Sequence, residues 1–174
     1  TFGINATGGM AIGMYNSSVT LGAGNDKVDI FAQYYSIPWG STPSYALYGK
    51  SLLNVGAGDD SVKITGAVAG TDSRNVSTIN LGAGNNTLNM SSNITHASIL
   101  GGANNDSITI TKDPNYRAKT WGGTDMLFGH LTHSLISDSS IALGDGNNTL
   151  NATAIMNEVA ITAGKGKDTI NITG

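Results

Sequence analysis

Apolar and polar positions alternate in short runs along this chain, and the runs meet at glycine loops. Val19 and Leu21 lead into Gly22-Ala23-Gly24-Asn25-Asp26, and Val28 and Ile30 lead out of it. The alternation on both sides has period two, so these four apolar side chains share one face. The pattern predicts strand, tight loop, strand, with glycine where the backbone turns sharply or needs φ > 0. The same unit returns at Val55–Asp60, Leu81–Asn86, Leu143–Asn148 and Ala163–Asp168, with looser copies at Leu100–Asp106, a residue longer, and Trp121–Asp125, a residue shorter.

The first glycines of these loops fall at 22, 56, 82, 101, 122, 144 and 164, so the spacing settles near twenty residues. A period of that length marks a solenoid, in which one coil cannot bury its apolar face alone and stacking the coils buries it. The fold expected is all-β: a parallel β-solenoid (β-helix or β-roll) of about seven coils, roughly 30 Å long at the inter-strand spacing. It is one domain over residues 1–174, with the seven glycine loops in a column. An antiparallel sandwich with glycine turns is the alternative, and one turn sequence repeating at one long period argues against it. The core expected is Val19, Leu21, Leu53, Val55, Val62, Ile64, Leu81, Leu88, Ile108, Ile110, Leu143, Leu150, Ile161 and Ile170.

Composition narrows this picture. Charged residues make up 12% of the chain and aromatics 6%, so the core must be aliphatic. The net charge of −3 has no basic run with it, which speaks against nucleic acid. No apolar stretch is as long as a membrane span. Cysteine is absent, which excludes disulfides and thiolate metal sites. The chain starts without Met and stops in mid-pattern, and is expected to be processed or part of a longer protein.

Two segments depart from the repeat. An aromatic-rich insertion at 31–50 carries Tyr34, Tyr35, Trp39, Tyr45 and Tyr48, candidate contacts for glycans or cell-surface partners. Rings folded back over the first coils as a cap are the competing reading. A charged excursion, Lys112–Lys119, reads as a solvated loop, kept out of a central strand by Pro114. His130 and His133 follow it without a third ligand at metal spacing, and His96 stands alone, so all three read as structural.

The loop pattern Gly-x-Gly-Asn-Asp-x-apolar, clearest at Gly22–Val28 and Gly56–Val62, resembles the RTX, or haemolysin-type calcium-binding, nonapeptide. The resemblance implies a parallel β-roll, a secreted or cell-surface setting, and Ca²⁺ held by loop carbonyls and carboxylates of neighbouring turns. By position, the family's ligand Asp falls on Asp26, Asp60, Asp106, Asp125 and Asp168; Asp59 adds a carboxylate, and Gly22, Gly24, Gly56 and Gly58 would turn carbonyls toward the ion. Asn86 and Asn148 stand where two of these Asp would be, and Lys165 and Lys167 occupy the last loop. The competing use of the loops is a ladder of amides along the rod, from Asn25, Asn85, Asn104 and Asn147.

The function expected is a non-enzymatic extracellular structural module, an adhesin, surface-layer or filament subunit whose copies associate end to end through open strand edges. The alternative is a polysaccharide-binding or polysaccharide-processing β-helix. A third reading is ice or mineral binding through rows such as Thr87, Thr149 and Thr169. The Asn-x-Ser/Thr sequons at Asn5, Asn16, Asn75, Asn93 and Asn171 are what a repeat rich in Asn and Thr generates by itself.

Overall fold

The computed structural model describes residues 1–8, 11–34, 44–112 and 134–174. Among them every regular element is a strand. In chain order these are β1 (Phe2–Gly8), β2 (Ile12–Tyr15), β3 (Ser18–Thr20), β4 (Lys27–Tyr34), β5 (Tyr45–Tyr48), β6 (Leu52–Asn54), β7 (Ser61–Thr65) and β8 (Ala67–Ala69). They continue as β9 (Ser77–Asn80), β10 (Thr87–Ser91), β11 (Ile94–Thr95), β12 (Ala97–Leu100), β13 (Ser107–Thr111), β14 (Ser134–Ala142), β15 (Thr149–Thr162) and β16 (Thr169–Thr173).

The strands form a parallel β-solenoid, the sheet winding nearly closed through 321°. One side stacks β1, β4, β7, β10, β13, the first part of β15 and β16, which gives seven rungs. The other side stacks β2, β5, β8, β11, β14 and the rest of β15, with β3, β6, β9 and β12 forming its second half in the earlier coils. The period-two alternation sets this register. Phe2, Val28, Val62, Leu88, Ile108, Leu150 and Ile170 form one inward column, because a one-residue slip would turn every one of them to solvent. Val19, Leu53, Ile79, Ile99, Ile141 and Ile161 form the facing column.

The core expected from sequence is buried wherever a coil lies on both sides of it. Val19, Leu21 and Ile161 are partly buried at its two ends. Ile170 stands in the right column and is still 43% exposed, because β16 is the last rung and no other strand pairs with its outer edge among the described residues. Thr87, Ser107, Thr149 and Thr169 do form an outward row in register.

The loop column differs from expectation in two places. It holds six loops among the described residues, not seven: β13 pairs directly with β15, so the 101–106 loop lies against the 144–148 loop. The Trp121–Asp125 copy lies outside the described residues, and the seventh rung is β1. The 101–106 loop is also not longer than the others. Ala103 bridges Ala83, which puts Gly101 where Leu81 and Leu143 stand and Asn104 where the second glycine stands, at φ 76°.

Candidate functional site

The glycine corner is the most regular part of the molecule. Beyond Gly22, which has open space, its first glycines are crowded: a Cβ on Gly82 would sit inside the carbonyl oxygen of Gly56, and φ there is +78°. Coils therefore approach so closely at this corner that only a residue without a side chain fits. Loop backbones then bond coil to coil, Ala57 N–H to Gly22 O at 3.1 Å and Ala83 N–H to Gly56 O at 3.0 Å.

The two polar residues that follow the glycines point apart and build two ladders. In the inner ladder each side chain accepts from the backbone of the coil before it: Asp26 N–H to Asp60 Oδ1, 2.7 Å; Asp60 N–H to Asn86 Oδ1, 3.0 Å; Asn86 N–H to Asp106 Oδ1, 3.0 Å. It continues with Asp106 N–H to Asn148 Oδ1 at 2.8 Å and Asn148 N–H to Asp168 Oδ1 at 3.0 Å. In the outer ladder the sense reverses. Asn25 accepts from Asp59 N–H, Asp59 from Asn85, Asn85 from Asn105, Asn105 from Asn147, and Asn147 from Lys167. Asn105, not Asn104, carries this ladder, since the 101–106 loop stacks one residue later than its glycines suggest.

The candidate metal ligands Asp26, Asp60, Asp106 and Asp168 thus share one column with Asn86 and Asn148. Asp59 lies in the other column, exposed, and Asp125 lies outside the described residues. Among the described residues no three acidic or histidine side chains converge in a way that could hold a metal. The loop carbonyls at Gly22 and Gly56 are directed at the next coil by the bonds given above, and the Asp60 and Asp106 Oδ1 atoms are engaged as well. What stays open is one oxygen each: Asp60 Oδ2 and Asp106 Oδ2 are buried with no hydrogen-bond partner. Burial pushes the Asp60 carboxyl above its ordinary range, the Asp26 N–H opposes this, and repulsion from Asp26 and Asp59 adds to it. Burial raises Asp106 too, against hydrogen bonds from the Asn86 backbone and side chain.

Of the aromatic candidates, Tyr35 and Trp39 lie outside the described residues, and Tyr34 ends β4. Tyr45 and Tyr48 belong to β5, inside the coil. Their rings stack with centroids 4.4 Å apart, and Tyr15, which the sequence reading passed over, stacks on Tyr48 at 5.6 Å. His96 sits at a corner of the coil with φ 46°; Asn16, Gly49, Asp138 and Glu158 are also left-handed there. This second corner carries no shared residue type, so no motif announced it. His130 and His133 lie outside the described residues.

No helix among the described residues is long and apolar enough to cross a membrane. No protein-family model matches the chain, and neither a curated protein nor a solved structure matches it.

Proposed function

We propose that this chain is a non-enzymatic structural module of a secreted or cell-surface assembly, of the adhesin, surface-layer or filament kind. The observation that carries the proposal is the pair of side-chain ladders. The loops hold the most regular polar residues in the sequence, and the ladders use them for cohesion between coils. The RTX-like character of the loops is part of the same proposal, resting on the motifs quoted above.

Self-association end to end follows from the edges. The outer edge of β16 and its inward residues Ile170 and Ile172, 43% and 45% exposed, form an apolar surface that another rung would cover. β1 offers the matching parallel edge at the other end. Light scattering across a hundredfold range of concentration tests this. The chain should grow in mass with concentration, and Ile170→Lys with Ile172→Lys should hold it monomeric. A wild-type chain that stays monomeric throughout, or one that cleaves a polysaccharide, overturns the reading.

Calcium belongs to the proposal at one interface, between the Gly22–Asp26 and Gly56–Asp60 loops. Three carboxylates there lie close enough to repel, and Asp60 Oδ2 is unpartnered. A cation would relieve both. It would also need six to eight oxygens, several of which the present hydrogen bonds engage. Calorimetric titration with Ca²⁺ should give heat that Asp26→Asn with Asp60→Asn removes. No heat and no change in melting temperature would sink this part and leave the structural module standing.

A further inference from the structure

The outward positions of the first side form an array that the second side lacks. In β10, β13, β15 and β16 the first outward column is Thr87, Ser107, Thr149 and Thr169. The middle column is Asn89, Thr109, Asn151 and Asn171, and the third is Ser91, Thr111, Thr153 and Thr173. Every position is a short, uncharged polar side chain, and no register shift interrupts the pairing. Stacking alone does not produce this uniformity. On the second side, where coils stack in the same way, one outward column reads Ser18, Leu52, Thr78, Ser98, Ser140 and Ala160. The column beside it includes Leu100 and Ala142.

The array is also stiff. Thr is restricted at χ1 by its branched Cβ. Side chains bond down the columns: Ser91 Oγ with Thr111 Oγ1 at 3.1 Å, Asn171 Nδ2 to Asn151 Oδ1 at 2.8 Å, and Thr173 Oγ1 to Thr153 Oγ1 at 3.4 Å. Sheets twist unless stacking or side-chain ladders hold the rungs in line, and the two ladders of the glycine corner adjoin this side. The backbone sets the grid, at about 4.8 Å from rung to rung and about 6.6 Å between columns two residues apart.

We propose that this face binds ice. The chemistry sets other ligands aside in turn. No aromatic ring or guanidinium stands at these positions, and protein interfaces draw most of their energy from such anchors. No carboxylate is there to take a mineral cation, and no ammonium to take a phosphate or an acidic sugar. What remains is a grid of hydroxyls, amides and methyl groups. Its two spacings lie close to the two oxygen repeats on a prism plane of hexagonal ice. Water bound at successive hydroxyls would already stand near lattice positions, and fixing it there costs little. The earlier rungs bring Asp29 and Lys63 into the middle column, which marks where the face ends. Ice binding adds to the structural module a surface that its cohesion does not need.

Thermal hysteresis and ice recrystallisation, measured on the whole chain, test this. The wild type should open a gap between the freezing and melting points of ice, shape growing crystals into facets and inhibit recrystallisation. Thr109→Lys, in the middle column, should shrink the gap at least tenfold while the protein's own melting temperature stays unchanged, since Lys63 already stands in that column two rungs away. Asn151→Lys, exposed and one rung on, repeats the test should Thr109→Lys fail to fold. Thr78→Lys, on the outer face of the second side, should leave the gap intact. No hysteresis and no inhibition in the wild type overturns the proposal, and so does a gap that Thr109→Lys and Asn151→Lys leave unchanged. Copies packed laterally through this face would show as dimers that both variants break without an effect on ice, and would overturn it too. None of these results bears on end-to-end association, which uses the edges of the rod.

Discussion

Apart from a single turn at Gly66, the described coils become left-handed at two recurring corners, and the corners solve that problem differently. At the glycine corner the carbonyl of the neighbouring coil occupies the space a Cβ would need, so Gly56, Gly82, Gly102 and Gly144 recur. At the other corner Asn16, His96, Asp138 and Glu158 adopt positive φ with their side chains intact, and Gly49 is the one glycine there, its Cβ space taken by the Asn16 side chain. A left-handed residue without crowding costs about 1–2 kcal/mol, which a solenoid can absorb. Crowding removes the choice. Repetition in this sequence therefore marks where coils are pressed together, and not everywhere the chain bends.

The comparison breaks most visibly if Gly82 is changed. Gly82→Ala combines a clash with backbone and a disfavoured φ, and should cost on the order of 3–5 kcal/mol in urea denaturation, among the largest single-residue effects. Glu158→Gly, at the permissive corner, should stabilise by about 1 kcal/mol. If both changes fall within a few tenths of each other, the distinction between the corners is wrong.

The two ladders give the next largest contrast. Asn86 is 1% exposed and its Oδ1 takes the buried Asp60 N–H. Asn86→Ala leaves that donor without a partner and should cost about 1–3 kcal/mol. Asn85→Ala removes an equivalent acceptor at the surface, where water replaces it, and should cost a few tenths. Equal losses would mean that the ladders act as one unit.

Acid titration gives the smallest effect and the sharpest sign. The folded state raises the Asp60 and Asp106 carboxyls above the ordinary Asp value, so it binds their protons more tightly than the unfolded chain does. Their contribution is complete below about pH 4, near the ordinary value, and is lost as pH rises through the raised values. Without added Ca²⁺, stability should increase as pH falls from 7 toward that range. Asp60→Asn with Asp106→Asn should raise the melting temperature at pH 7 and flatten this dependence, as Asn86 and Asn148 already occupy the same ladder. Asp72 acts in the opposite sense at lower pH, because N–H donors from Arg74 and Asn75 hold its carboxyl down. A melting temperature that falls steadily from pH 7 to 5 would contradict the burial of the two carboxyls.

The fold was legible because a parallel solenoid writes its register into the alternation. Val28, Val62, Leu88 and Ile108 each stand two residues beyond the second polar residue of a glycine loop, which is the register they adopt. The column of Asp26, Asp60, Asp106 and Asp168 was legible for the same reason. The partners of those carboxylates were not. A side chain after a glycine loop can turn to a metal or to the N–H of the next coil, and sequence spacing is the same for both. The 101–106 loop misled because Gly101 fills a core position, so its glycines sit one residue early.

The unequal spacing of ladder partners has a mechanical consequence. Partners in the inner ladder are separated by 34, 26, 20, 42 and 20 residues in turn. A pull on the two termini acts along the rod axis, so coils peel from the ends one after another and are not sheared together. Each detached coil releases its own length of chain, about 3.3–3.6 Å per residue, against a rise of less than 5 Å when stacked. Force spectroscopy would then record a staircase of short and long steps. The longest step, about 140–150 Å, belongs to the 42-residue coil between Asp106 and Asn148. Such a rod is an extensible tether whose unspooling record names the coil that has opened.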